Sequence, residues 1–262
     1  MIPRRRGGGL WKPAILAMVV LAAAAAAHAA PNSAKRLKAF AKLPDWSGIW
    51  FSDSIEEDAG GSLNVGRVKF FADPPYNAEW QAQYRKRKAK LASAEFKQCV
   101  VDFPATMESP QPFELLVTPE ETVYTAGDGT FRHIFTDGRP HPAKDKLFPS
   151  VTGDSIGHWE GETLVIDTVA RRPGPLLFLG SAAFSEAAHF HERIRMTDKD
   201  TLEDQMTIDD PVAFIHPWML NLGYKRVTVI DHIDPYYCDV DDRIDIVDGK
   251  MVIKPPSEPA KP

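Results

Sequence analysis

The chain has 262 residues, 26% charged and 44% hydrophobic, with a formal net charge of −5 and two cysteines. An acidic balance offers no basic footprint for a nucleic-acid partner, and so few cysteines exclude a disulfide-dense miniature scaffold. The length suits one large all-β domain or two small ones.

At the amino end "MIPRRRGGGLWK" is basic, Ala14 to Ala27 then runs apolar, and Ala27-His28-Ala29 supplies a small-x-small pattern. That order predicts a secretory signal over residues 1–29, cleaved on export to the periplasm or beyond. The apolar run is shorter than the roughly 20 residues that span a bilayer, so no transmembrane segment is expected in the mature chain. Arg4-Arg5 raises the twin-arginine route, although glycines follow where that signal prefers an apolar residue. In an oxidising compartment Cys99 and Cys238 are expected to form one disulfide; two buried thiols are the alternative.

Residues 30–44 read as a lead-in, 45–254 as a single domain, and 255–262, "PPSEPAKP", as a disordered tail. "WSGIWF" reads as the first strand. "PPYNAEWQAQYRKRKAKLASAEF" reads as the one helix, with Asn77 at its N-cap, Glu79 in the first turn and lysines later. Trp80, Tyr84 and Leu91 share a stripe at helical spacing, and the basic run Arg85 to Lys88 reads as a solvated face.

From Pro112 onward the pattern changes to short β-branched and aromatic runs closed by turn residues: "FELLVT", "TVYTA", "TFRHIFT", "SIGHW", "TLVIDTV", "AAHFHERIRM", "TLEDQMTI" and "WMLNLGYKRVTVI". With "WSGIWF" these make about nine or ten antiparallel strands joined mostly by hairpins. Such a meander removes its edges by closing, so the expected fold is an all-β, antiparallel up-and-down barrel with one flanking helix. A two-sheet sandwich is the runner-up.

Alternation places two acids on apolar faces: Glu192 among Phe190, Ile194 and Met196, and Asp204 among Leu202, Met206 and Ile208. If Thr197 pairs with Thr201, Asp204 opposes Ile194 and Glu192 opposes Met206, leaving the acids roughly 5.5 to 8 Å apart on a diagonal. Inside a barrel such a pair keeps one member protonated, as a general acid requires. An inward ion pair with an arginine is the plain alternative.

In "SIGHWEGETLVIDTV" a turn at Gly161-Glu162 sets His158 opposite Val165 and Trp159 opposite Leu164. His158 then shares a face with Asp167, which could fix its tautomer as a base and its orienter. In "FTDGRPHP", Asp137, Arg139 and His141 crowd into a proline-stiffened turn, where Arg139 could clamp an anionic substrate group and His141 move a proton. A self-capped turn is the alternative there. The pair His189 and His191 in "HFH" lacks the spacing and glycines of a cupin metal motif, so no metal is expected. No G-x-S-x-G elbow, phosphate loop or dinucleotide fingerprint occurs, and no cofactor is expected.

The phrases "DWSGIW", "PPYNAEW", "FRHIFTDGRPHP", "SIGHWEGETLVIDT", "SEAAHFHERIRMTDKDTLEDQMTIDDPVAFIHPW" and "YYC" resemble a largely uncharacterised family of exported bacterial proteins. That family carries TDGRxHP and SIGHWEGDTLVVDT motifs. Its usual form has a histidine where this chain has Asp154, a second histidine motif where this chain has "GSAAFSE", and a different sequence in place of "CDVDD". A fainter likeness is to lipocalin-like barrels, through Gly48-Ile49-Trp50 matching G-x-W; it implies that Trp50 closes the barrel floor.

Together these readings point to a periplasmic, cofactor-independent lyase or isomerase acting by acid/base chemistry on a small apolar, aromatic molecule. Candidate catalytic groups are His158, Asp167, His141, Glu192 and Asp204, with Arg139, Asp137 and Trp159 on the substrate. A non-catalytic carrier of an apolar ligand and a barrel that is only a scaffold are the other classes.

Overall fold

The computed structural model describes residues 33–53, 55–57, 63–65, 73–91, 102–107, 111–175, 182–234, 244–247 and 250–253. The expected signal, the two cysteines and the tail lie outside the described residues. The lead-in carries a short helix, α1 (Ser33–Phe40), and the predicted helix is α2 (Ala78–Leu91). Asn77 caps α2, its Oδ1 accepting the Trp80 N–H at 3.2 Å. No helix among the described residues is long and apolar enough to cross a membrane.

Nine strands form a closed barrel. They are β1 (Ile49–Ser52), β2 (Phe113–Val117), β3 (Glu121–Ala126), β4 (Phe131–Phe135), β5 (Asp154–Glu160), β6 (Thr163–Val169), β7 (His189–Asp198), β8 (Thr201–Asp209) and β9 (Trp218–Val227). Each pairs with its predecessor around the wall, and β9 returns to β1. The one departure from an all-antiparallel wall follows from arithmetic. An odd number of strands cannot alternate in direction all the way round, so one pair must be parallel, and that pair is β4 and β5, through Ile134↔Ser155 and Phe135↔Ile156.

A parallel pair needs a crossover instead of a hairpin. Residues 136–153 supply it, so the "TDGRPHP" turn belongs to the only barrel connection obliged to travel back along the wall. This crossover carries His141 to the outer face of β5 and β6, where its ring meets Asp154.

The hairpin registers follow the alternation of the sequence. His158 opposes Val165 and Trp159 opposes Leu164 across Gly161-Glu162, with Gly161 in the left-handed region at φ 64°, which glycine enters without a Cβ clash. Ile194 opposes Asp204 and Glu192 opposes Met206. The tip differs: a bulge after Met196 brings Asp198, not Thr197, opposite Thr201, leaving the inward set unchanged.

Aromatic side chains close both ends. At one, Trp50 is fully buried, its Nε1 donating to the Trp46 carbonyl at 3.0 Å, with the Arg226 guanidinium 4.4 Å over its ring. Trp159 packs on Trp46 there at 5.0 Å. At the other end residues 102–107 form a plug. Phe103 packs edge-on against Phe190 at 5.1 Å, and the Tyr124 hydroxyl donates to the Thr106 carbonyl at 3.1 Å. Asp102 anchors the plug on Arg171 and Arg172, at 3.2 and 2.6 Å.

Candidate functional site

Polar side chains gather in two places, one on each side of the wall. Inside, Arg132 from β4 reaches across the lumen to Glu192 on β7, forming a two-pronged ion pair with both partners buried. Ser155 Oγ and Thr168 Oγ1 accept two more of its guanidinium bonds, at 3.2 and 2.9 Å, and Phe103 lies over the guanidinium at 3.9 Å. Glu192 and Asp204 point inward as the alternation requires, and Glu192 takes the arginine partner that was the plainer reading.

Asp204 is different. It is fully buried, and its nearest acidic neighbour is Glu192. Burial first, and then the charge of nearby Glu192, push its carboxyl well above the usual carboxylate range. Both effects favour the protonated form of the Asp204 carboxyl. The Tyr224 hydroxyl close to it is also buried and without a partner, its own ionisation suppressed chiefly by burial.

Outside, β5, β6 and β7 lie side by side, and their outward residues converge with the crossover. His141 Nδ1 sits 2.5 Å from Asp154 Oδ1, on the first residue of β5. An ionised carboxylate only accepts, so Nδ1 carries a proton in this pairing, and in the neutral ring the lone pair would be on Nε2. That Nε2 is shielded from solvent, has no hydrogen-bond partner, and lies 3.8 Å from Asp167 Oδ1. Asp167 meanwhile accepts a short hydrogen bond from His189 Nε2. His191 sits directly across from Asp167 in register, and its ring is 4.4 Å from that of His189. A carboxylate oxygen and two ring nitrogens, from Asp167, His189 and His191, lie within 4.8 Å of one another.

Gly153 fixes the start of β5. At φ 72° it occupies a backbone region that disfavours side chains, and a Cβ there would meet the Val169 carbonyl oxygen at 2.7 Å. The chain thus turns tightly into Asp154.

The structure separates the proposed His158–Asp167 pair. The two share a face as expected, but His158 is 65% exposed and bonds Glu160 at 3.2 Å, while Asp167 turns to His189. The imidazole that bonds Asp167 therefore comes from β7, on the other side of β6 from His158, although both histidines are diagonal neighbours of Asp167, each two residues from its direct partner. Arg139 and Asp137 take the self-capped form. Asp137 accepts the Arg139 backbone N–H at 3.1 Å and its guanidinium at 2.6 Å, and that guanidinium stacks 3.9 Å over Phe135. Trp159 faces inward and packs on Trp46, away from the outer cluster. Of the expected groups, His141 and Asp167 come together outside, Glu192 and Asp204 inside, and Asp137 with Arg139 in the turn.

Arg132, Asp154 and the role of His189 are the additions. Arg132 shares a face with Ile134, a readable signal, but Phe131 and Phe135 make the opposite face of β4 look like the buried one. No protein-family model matches the chain, and a comparison with curated proteins finds no match either.

Proposed function

We propose that this is an exported acid/base enzyme, a lyase or isomerase that moves a proton on a small apolar, aromatic molecule. Its working groups are then on the outer wall of the barrel, not in the lumen. The observation that carries this reading is the placement of His141: Nδ1 bonds Asp154, and Nε2, without a hydrogen-bond partner, faces Asp167 at 3.8 Å, where in the neutral ring it would accept a proton. A base oriented by a carboxylate is the arrangement that general base chemistry needs. Asp167 and His189 form a second imidazole–carboxylate unit within reach, able to return the proton. On the same outer row, Thr207 and then the exposed Met219 follow His191 across β8 and β9, offering an apolar shoulder to a ligand.

The N-terminal signal and the resemblance to exported bacterial proteins support a periplasmic location. A carrier is the second reading, favoured by a cleft of about 480 Å³ beside α1 whose lining includes Phe40, Leu43, Trp46, Leu115 and Val117.

The test is incubation of the purified protein with a panel of phenolic and other aromatic compounds, following ligand mass together with tryptophan fluorescence. A mass change that disappears in His141→Gln supports the enzyme. Quenching with unchanged mass supports the carrier, and neither signal rejects both.

A further inference from the structure

We infer that the outer cluster is a binding site for one divalent transition-metal ion, held by Asp167, His189 and His191. This deepens the reading proposed above, because the same site would present the ion beside His141.

Two imidazoles and one carboxylate make a donor set that suits Zn²⁺, Fe²⁺ or Co²⁺ rather than Mg²⁺ or Ca²⁺, which prefer oxygen alone. Around an ion with bonds near 2.0–2.1 Å, tetrahedral donors stand roughly 3.3 Å apart. The three donor atoms here already lie within 4.8 Å of one another, so loading needs side-chain adjustments of about an ångström. The backbone already sets the arrangement. His191 and Asp167 are direct cross-strand partners, and His189 is on the same face of β7, two residues before His191.

Electrostatics and access agree with this. Among the described residues no arginine or lysine is paired to Asp167, whose recorded contacts are both imidazoles. His191 is exposed and His189 and Asp167 are half-buried, which leaves a route for an ion and open positions for water or substrate. His141 stands 3.8 Å from Asp167, its solvent-shielded Nε2 without a partner. Metal binding at His189 Nε2 would displace the proton that this nitrogen shares with Asp167.

The sequence alone argued against a metal because it offers only "HFH", with no glutamate at cupin spacing. The third donor comes instead from a neighbouring strand, through a register that the hairpin pattern did not include.

The test uses the full-length chain after export, stripped with chelator and titrated with Co²⁺ and Zn²⁺, reading stoichiometry by elemental analysis and coordination by the Co²⁺ absorption bands. The expected result is one ion per chain, with affinity at least about 100-fold weaker in His191→Ala and in Asp167→Asn, and unchanged in His158→Ala. All three positions are on the outer face, and circular dichroism should show each variant folded. His189→Ala gives a second disruption should one variant fail to fold. Absence of stoichiometric binding, or equal affinity in the His191 and Asp167 variants, overturns the inference. No stoichiometric binding together with turnover of an aromatic substrate that is lost in His141→Gln would reject the metal while leaving the acid/base reading standing.

Discussion

The inner and outer faces of one stretch of wall carry the same kinds of group and use them in opposite ways. Inside, Arg132 and Glu192 saturate each other, supported by Ser155, Thr168 and the ring of Phe103. Outside, one strand position away, His189 and His191 flank the inward Phe190 and meet Asp167, with His141 close by. The inner Arg132–Glu192 pair is sealed and fully committed, whereas outside Asp167, His189 and His191 are reached by solvent and His141 keeps Nε2 without a hydrogen bond. Burial of a charged side chain is therefore a poor guide to chemistry here. What sets the outer cluster apart is that an oriented imidazole stands beside solvent-reached groups.

The sharpest way to break this comparison is to remove one inner partner. Arg132→Met leaves Glu192 buried without its cation, and should destabilise the fold by about 3–5 kcal/mol in urea denaturation. Most of that loss should return in Arg132→Met/Glu192→Leu, because apolar replacement of a buried pair is nearly neutral. A lone Arg132→Met as stable as wild type would mean that the pair does not hold the lumen.

At the outer site, Gly153→Ala should cost about 1–3 kcal/mol, since a Cβ is forced against the Val169 carbonyl at a positive φ. Thermal unfolding measures the cost, and the His141 imidazole resonances should shift as Asp154 is displaced.

Asp204 gives a pH-dependent effect. Its folded-state carboxyl is raised above the ordinary 3.8, so the folded protein binds a proton that the unfolded chain has lost. Wild-type stability therefore falls as pH rises from that value towards the folded one, by about 1.4 kcal/mol for each unit of separation. Asn cannot titrate, so Asp204→Asn should gain on wild type as pH climbs above 3.8 and show no such gain below it. A stability difference that does not change with pH would show Asp204 to be charged in the fold.

The smallest effect is expected at His158. Its ring is largely exposed and bonds only the neighbouring Glu160, so His158→Ala should change stability by no more than about 0.5 kcal/mol. Turnover should be unaltered, and any large loss would return His158 to the site.

Much of the barrel was legible because period-two alternation is a local signal. The strands, the Gly161-Glu162 turn and the inward aim of Glu192 and Asp204 all follow from residues a few positions apart. The parallel β4–β5 pair was not legible, since it depends on the parity of the whole strand count. The crossover is readable in the sequence as a turn bearing Asp137, Arg139 and His141, but its destination over β5 is not. That destination decides which histidine meets which carboxylate. His141 and Asp167 were therefore recognisable as candidates, whereas Asp154 and His189 acquire their roles only once three strands and a crossover are brought together. Arg132 was hidden for a different reason: Phe131 is 59% exposed, and its apolar character points to the wrong face of β4.

The central claim is that proton transfer belongs to the outer wall and structural support to the inner one. The most direct test compares turnover of one aromatic substrate by His141→Gln and by Asp204→Asn under identical conditions, with thermal unfolding confirming that both are folded. Loss of about 100-fold or more in His141→Gln, with Asp204→Asn near wild type, is the expected result. Turnover retained in His141→Gln and lost in Asp204→Asn would contradict the account and move the chemistry into the lumen.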